Sequence, residues 1–84
     1  MILHLGANTS VLEKEIIGVF DMDSTTVSKK TRDYLSRAEK EKNVVNVSYE
    51  LPKSFIVCSP VKKKENKVYI SPISVQTLSK RSEL

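Results

Sequence analysis

The sequence predicts a small α+β fold in which a mostly antiparallel sheet is covered by one long helix and one short C-terminal helix. Two patterns carry this prediction. Several short segments have the alternating or continuous apolar residues of strands, and one longer segment between them has the apolar spacing of a helix. With 84 residues the chain is expected to form a single domain, residues 1–84. A domain of this size buries a smaller share of its surface than larger proteins do, so we expect it to depend on a partner.

Two strands and the long helix are predicted in the first half of the chain. The strands cover residues 2 to 5 and 15 to 20 and form a hairpin, with Val11 and Leu12 joining the second strand after the turn-forming residues 6 to 10. The helix covers residues 27 to 42. Its predicted buried face consists of Val27, Thr31, Tyr34, Leu35 and Ala38.

Three further strands and the short helix are predicted in the second half. The first has one buried face, formed by Val45, Val47, Tyr49 and Leu51, which alternate with polar residues. Residues 55 to 59 form a buried strand, residues 60 to 66 a lysine-rich loop, and residues 67 to 71 the last strand. Pro72 has no N–H for a ladder and stops that strand, and Ser74 can then cap a helix that ends in Lys80 and Arg81.

The residue types that commonly carry catalysis or bind metals are scarce. Cys58 is the only cysteine, so no disulfide within the chain and no zinc or iron–sulfur framework can be built, and in a buried strand it behaves as a small apolar residue. His4 is the only histidine, and we interpret it as a strand residue bonded to the backbone rather than as a ligand or a base. We expect no catalytic residue, metal site, cofactor or small-molecule substrate, and we predict that the protein is not an enzyme.

One segment does resemble a catalytic motif. Residues 19–25 (Val-Phe-Asp-Met-Asp-Ser-Thr) are similar to the first motif of haloacid dehalogenase-type phosphatases, in which the first Asp is the nucleophile and the second a general acid and base. That chemistry also needs magnesium held by several oxygen ligands. Downstream of Asp23 the only Asp is Asp33, inside the predicted helix. We therefore interpret Asp21 and Asp23 as residues that end a strand and bond the following turn, and a phosphatase is the third hypothesis.

Positive charge indicates the kind of partner to expect. Fourteen Lys and Arg against ten Asp and Glu leave a formal net charge of +4, which favours an acidic partner such as nucleic acid or an anionic surface. The densest cluster is Lys62, Lys63 and Lys64, with Lys67 close by. It has two interpretations: a solvated hairpin tip that discourages edge-to-edge sheet association, or a loop that contacts DNA phosphates.

Several short motifs together carry a family resemblance. They are residues 3–6 (Leu-His-Leu-Gly), 15–21 (Glu-Ile-Ile-Gly-Val-Phe-Asp), 51–54 (Leu-Pro-Lys-Ser), 69–74 (Tyr-Ile-Ser-Pro-Ile-Ser) and 78–81 (Leu-Ser-Lys-Arg). In this order and spacing they resemble extracellular matrix regulatory protein B over almost the whole chain, with the loop of residues 62–66 as an insertion. The related matrix regulator A proteins are DNA-binding activators of biofilm matrix genes, and they assemble as closed rings that carry DNA on the outer rim. The resemblance implies a ring-forming bacterial regulator.

The resemblance also implies where DNA would bind. The regulator A proteins carry an Arg-Arg pair after the Thr-Tyr of the middle strand. Here Ser48-Tyr49 is followed by residues 50–53 (Glu-Leu-Pro-Lys), so Lys53 is the basic residue nearest that position. The other basic position of the family, before the second apolar strand, falls close to Lys14. The candidates for phosphate contact are therefore Lys14 and Lys53 first, then Lys62, Lys63 and Lys64.

We predict a closed homo-oligomeric ring that binds double-stranded DNA through repeated weak backbone contacts and regulates transcription of extracellular matrix genes. Repetition matters because each later contact within a ring is intramolecular, so weak sites combine into avidity. The alternative is an oligomeric protein-interaction regulator that does not bind DNA. No apolar run reaches the roughly 20 residues that span a bilayer, and the start before Gly6 lacks the regions of a signal peptide, so we expect a cytoplasmic protein without membrane insertion.

Overall fold

The computed structural model describes residues 2–22 and 29–81. The elements of these ranges are β1 (Ile2–Gly6), β2 (Thr9–Leu12), a 3-10 turn (Glu13–Glu15), β3 (Ile16–Asp21), α1 (Lys29–Lys40), β4 (Val44–Asn46), β5 (Ser54–Cys58), β6 (Lys67–Ser71) and α2 (Val75–Arg81). In the described part of the chain they form two sheets and two helices. The predicted α+β class is confirmed.

The strands are divided between a small sheet and a larger one. β1 and β2 form an antiparallel hairpin, and the larger sheet has the order β3-β5-β6-β4, with antiparallel neighbours except for β4, which runs parallel to β6. The predicted hairpin between residues 2–5 and 15–20 is therefore wrong. Gly6 and Ala7 have φ angles of 119° and 48°, so the chain turns back at once and β1 pairs with residues 9–12. The 3-10 turn then leads the chain into β3 of the larger sheet.

Each face of the larger sheet is covered by a different part of the chain. On one face Ala38 of α1 belongs to an apolar cluster with Phe55, Val57 and Val68. The β1-β2 hairpin and α2 cover the other face. The buried residues of that cluster are Leu3, Leu5, Val11, Val47, Ile56, Cys58 and Leu78. Since β5 lies between the two clusters, all five of its residues are buried, which confirms a buried strand one residue earlier than the predicted 55–59, with Ser59 exposed beyond its end.

The helix α1 ends in a backbone cap rather than continuing to the predicted residue 42. Lys42 has a φ of 61°, its N–H donates to the Glu39 carbonyl at 3.0 Å, and the Asn43 N–H donates to the Ala38 carbonyl at 2.8 Å. This pair of bonds is the Schellman arrangement, which satisfies the last carbonyls of a helix. The predicted start at residue 27, and Val27 of the predicted buried face, lie outside the described residues.

The strand predicted over residues 45 to 51 stops much earlier. β4 ends at Asn46, Val47 is buried with its N–H bonded to the Ile70 carbonyl at 3.0 Å, and beyond it Tyr49 and Leu51 are 110% and 80% exposed. The prediction that Tyr49 and Leu51 form a buried strand face is wrong. Because β4 runs parallel to β6 and β5 lies on the other side of β6, residues 47–53 must cross the end of β6 instead of extending β4.

Two buried serines join the hairpin and the C-terminal segment to the larger sheet. The Ser71 hydroxyl donates to the Leu5 carbonyl at 2.7 Å and accepts from the Ile73 N–H at 3.0 Å, and the Ser54 hydroxyl donates to the Ile73 carbonyl at 2.7 Å. The predicted cap of α2 is confirmed, since the Ser74 hydroxyl accepts from the Thr77 N–H at 3.2 Å.

Candidate nucleic-acid interface

The larger sheet has two ends that differ in charge. At the first, which we call the lysine end, β3, β4 and β6 begin at Ile16, Val44 and Lys67, and β5 ends at Cys58. At the second, which we call the serine end, β3, β4 and β6 end and β5 begins, at Ser54 opposite Ser71. The candidate DNA-binding lysines are distributed between these ends.

Four of the five predicted DNA-binding residues lie at the lysine end. Lys14 is in the 3-10 turn just before β3, and Lys62, Lys63 and Lys64 are in the loop between β5 and β6. The two segments are tied together through Glu15, whose carbonyl accepts from the Ser59 N–H at 2.7 Å and whose carboxylate accepts from the Val61 N–H at 3.3 Å. All four lysine side chains are exposed, so they are free to approach an anionic surface.

Lys53 lies at the serine end, away from the other four. Its carbonyl accepts from the Met22 N–H at 3.0 Å and its N–H donates to the Ser71 carbonyl at 2.9 Å, so its backbone is fixed while its side chain is exposed. The five residues of β5 separate Lys53 from the lysine end, a span of roughly 17 Å at about 3.4 Å per residue. Lys14 and Lys53 therefore lie at opposite ends of the larger sheet.

One member of the positive cluster, Lys42, was not predicted from the sequence. It joins Lys63, Lys64 and the predicted neighbour Lys67 around an open cavity of about 370 Å³, which Asn43 and Glu65 also line. The parallel pairing of β4 with β6 brings the end of α1 beside the loop, and the Val68 N–H donates to the Asn43 carbonyl at 2.8 Å. Lys42 lies 20 residues or more from the other three lysines in sequence, and no local pattern indicates this pairing.

An apolar groove of about 380 Å³ runs beside the edge strand β3, on the face that carries α1. Ile17 and Phe20, which are 59% and 40% exposed, line it together with Tyr34 of α1. The Phe20 ring stacks on Phe55, with the ring centroids 5.0 Å apart, and lies so close to Gly18 that an added Cβ there would be 2.7 Å from the ring. Glycine at this position is therefore what lets the ring cover the sheet.

The side chains of the two residue types most often used in catalysis here, His4 and Cys58, are respectively hydrogen-bonded to the backbone and buried. The His4 ring bonds through Nε2 to the Ala7 carbonyl at 3.0 Å, which confirms the backbone-bonded interpretation. Burial, and then the negative charge of Glu15, raise the pKa of the Cys58 thiol to about 11, so it stays protonated near neutral pH. Asp21 is the last residue of β3, as predicted for a strand end, whereas Asp23 lies outside the described residues. Among residues 2–22 and 29–81, no group of three or more His, Cys, Asp or Glu could hold a metal ion.

The fold and the lysine end define a small basic α+β protein with a lysine-rich surface at one end of its larger sheet. The chain belongs to the RemA-like family, described as extracellular matrix regulatory protein A-like, because the family model matches residues 2–81. The predicted relationship to the matrix regulators is thereby confirmed, and membership indicates an extracellular matrix regulatory protein. A comparison with curated proteins gave no match. In the ranges that the structure describes, no helix is both long and apolar enough to cross a membrane.

Proposed function

We propose that this protein is a ring-forming, cytoplasmic DNA-binding regulator of extracellular matrix genes, with the lysine end of the sheet as its DNA surface. The observation that carries the proposal is the gathering of Lys14 and Lys62–Lys64 at one end of the sheet in a member of the RemA-like family. Flexible exposed lysines neutralise phosphates without reading bases, so they supply affinity for duplex DNA of any sequence.

A ring would make these contacts effective. A net charge of +4 on each protomer supports only weak binding, but several protomers that touch one duplex combine their contacts through effective concentration. Lys53, at the serine end, would add to this only where the curvature of the ring or the neighbouring subunit brings that end to the duplex.

Exposed apolar surface supports self-association. Edge strand β3 exposes Ile17 and Phe20, and the crossing segment at the serine end exposes Tyr49 and Leu51. A ring needs a heterologous interface, in which two different surfaces of each protomer meet, and these two surfaces lie on different parts of the fold. Light scattering at micromolar concentration should give the mass of a closed oligomer, and a monomer at ordinary salt would contradict the assembly.

The DNA surface can be tested by comparing two triple variants of equal charge. Changing Lys62, Lys63 and Lys64 to Gln should weaken binding to a fluorescent duplex and flatten the dependence of log affinity on log salt, by about 0.9 for each phosphate that is no longer neutralised. Changing Lys29, Lys30 and Arg32, which lie at the start of α1, to Gln removes the same charge away from the lysine end and should have a smaller effect. Equal reductions in affinity for the two variants would show that only net charge matters.

Single variants can then rank the remaining candidates. Lys14→Gln should weaken duplex binding more than Lys53→Gln, because Lys14 shares the lysine end with the loop. The opposite ranking, with both variants still assembled, would move the DNA surface to the serine end. The two variants must be compared at the same ionic strength. The Debye length is roughly 10 Å at 0.1 M salt, so a change in salt concentration weakens binding in the same way as the removal of a charge.

An oligomeric regulator that binds another protein instead of DNA is the second candidate. It is favoured by the segment where the related regulators have their Arg-Arg pair, since here Tyr49 and Leu51 are exposed beside the acidic Glu50. Exposed aromatic and aliphatic side chains suit a protein partner better than a phosphate. An intact oligomer that fails to bind duplex DNA at low salt would favour this candidate.

We also propose that the protein has no catalytic activity. The thiol of Cys58 is buried and protonated, and the His4 ring is bonded to the backbone, so neither is set up as a nucleophile or a base. A magnesium-dependent assay on small phosphate esters tests this proposal. Hydrolysis that disappears in Asp21→Asn would instead establish the phosphatase hypothesis.

A further inference from the structure

The cavity at the lysine end is built from two segments that are distant in sequence. The capped end of α1 contributes Lys42 and Asn43, and the loop before β6 contributes Lys63, Lys64 and Glu65. Half-buried Lys67, the first residue of β6, completes the lining of this 370 Å³ space. The cavity therefore lies between two separate backbone segments, which distinguishes it from a run of lysines on a flat surface.

The backbone at Lys42 costs conformational energy that a glycine would avoid. Lys42 occupies the position after the helix where the Schellman arrangement needs a positive φ, and its φ is 61°. Glycine is the usual residue at such a position because a Cβ is disfavoured there. Strained backbone of this kind points to a functional reason for the side chain, and the side chain of Lys42 lines the cavity.

The charges around the cavity suit an anion with several negative charges. Four lysines and one glutamate leave three excess positive charges around it. The Asn43 side-chain amide donates to the Glu65 carboxylate at 2.7 Å and to the Glu41 carboxylate, which is not part of the lining, at 3.5 Å, and it holds both groups in place without changing their charge. One DNA phosphate carries a single negative charge, whereas a triphosphate carries three or four and matches the excess. Among the residues that the structure describes, no aromatic side chain lines the cavity, so the recognition concerns phosphates rather than a base.

We propose that this cavity binds a small multi-phosphate anion of the triphosphate class, through Lys42, Lys63, Lys64 and Lys67. This goes beyond DNA binding and does not depend on it. The cavity shares Lys63 and Lys64 with the proposed DNA surface, so bound triphosphate and bound duplex compete for the same cations. A multi-phosphate ligand is then an inhibitor of DNA binding.

Inorganic triphosphate is the probe, measured by isothermal titration calorimetry on the full chain at fixed pH and ionic strength. We expect it to bind at least about tenfold more tightly than orthophosphate, because more charges meet the same cations. Lys42→Gly and Lys64→Gln should each weaken it, and Lys40→Gln, which removes the same charge from α1 outside the cavity, should not. Lys42→Gly relieves the backbone instead of straining it, so weaker binding by this variant does not reflect a failure to fold.

Two outcomes would overturn the proposal: no saturable binding of triphosphate, or equal weakening by Lys40→Gln and Lys42→Gly. A duplex-binding assay on the same variants identifies the source of the phosphates. If the cavity variants fail to bind duplex while triphosphate neither binds nor displaces it, the cavity serves the DNA backbone and the free anion is refuted. If triphosphate binds and the unmodified protein binds no duplex, the cavity proposal stands and the proposed function fails.

Discussion

Removing the Ser71 hydroxyl tests how the small hairpin is held on the larger sheet. Ser71 is 0% exposed, and its hydroxyl is bonded both to the Leu5 carbonyl and to the Ile73 N–H. In Ser71→Ala both groups lose this partner, and a buried group left without one costs about 1–3 kcal/mol. Leu5 is itself 0% exposed, so its carbonyl bears the full cost, whereas half-buried Ile73 regains part of its hydrogen bonding from water. We expect the free energy of unfolding to fall by about 2–4 kcal/mol.

Unfolding is best followed by far-UV circular dichroism, because the chain has no Trp. A fall of this size should lower the midpoint temperature by at least about 8 °C, at roughly 4–8 °C per kcal/mol for a domain of this length. All proteins must be compared at one concentration, because the proposed self-association would make stability depend on concentration.

Ser48→Ala is the matched control. The Ser48 hydroxyl accepts from the Glu50 N–H at 3.1 Å in an exposed turn, where water can replace it, so we expect a change within about 0.5 kcal/mol. If Ser71→Ala costs no more than Ser48→Ala, the two buried bonds contribute nothing to the fold and the reasoning is refuted.

Three further predictions concern single positions. Gly18→Ala places a Cβ 2.7 Å from the Phe20 ring, so the ring must shift and urea unfolding should show a destabilisation of about 1–3 kcal/mol. Lys42→Gly should raise the free energy of unfolding by about 0.5–1 kcal/mol, because glycine adopts the φ of 61° without strain. The pKa of Cys58 is raised from 9.0 to about 11, so the folded state holds this proton more tightly than the unfolded state does. The resulting stability is present below about pH 9 and is lost as the pH rises toward 11, and the unmodified protein should lose more over this interval than Cys58→Ala.

A different result would contradict each of these three predictions. In a Phe20→Leu background the cost of Gly18→Ala should shrink, and an unchanged cost would mean that the ring is not what the Cβ meets. Arg37→Gly, in the interior of α1, should destabilise by about 1 kcal/mol, and the same sign for Lys42→Gly would contradict the cap. Equal pH slopes for the unmodified protein and Cys58→Ala would show that the buried thiol does not titrate differently in the two states.

The sequence predicted those elements whose position is decided by the residues within them or next to them. The apolar run of β5, the Pro72 stop and the Ser74 cap are all decided within a few positions, and each is found where expected. The family resemblance likewise rests on short motifs and is confirmed over residues 2–81.

The incorrect predictions concern which segments of the chain pair with each other. Whether β1 pairs with residues 9–12 or with β3 depends on the turn at Gly6 and Ala7, and the alternation of Leu3 and Leu5 with His4 does not identify the partner strand. The strand predicted over residues 45–51 failed because the order β3-β5-β6-β4 forces the chain across the end of β6. The lysine cavity was missed for the same reason, since the parallel register of β4 and β6 is a property of the assembled sheet.

The loop that carries Lys62–Lys64 connects the two central strands of the larger sheet, and its anchors Cys58 and Lys67 are directly paired. The distance that the loop must close is therefore set by the core and stays constant whatever lies between the anchors. Doubling the length of such a loop costs only about 0.6 kcal/mol in closure entropy. Loop length and charge at the lysine end can thus diverge among relatives with little effect on the core, so the charge of this surface can change almost independently of stability.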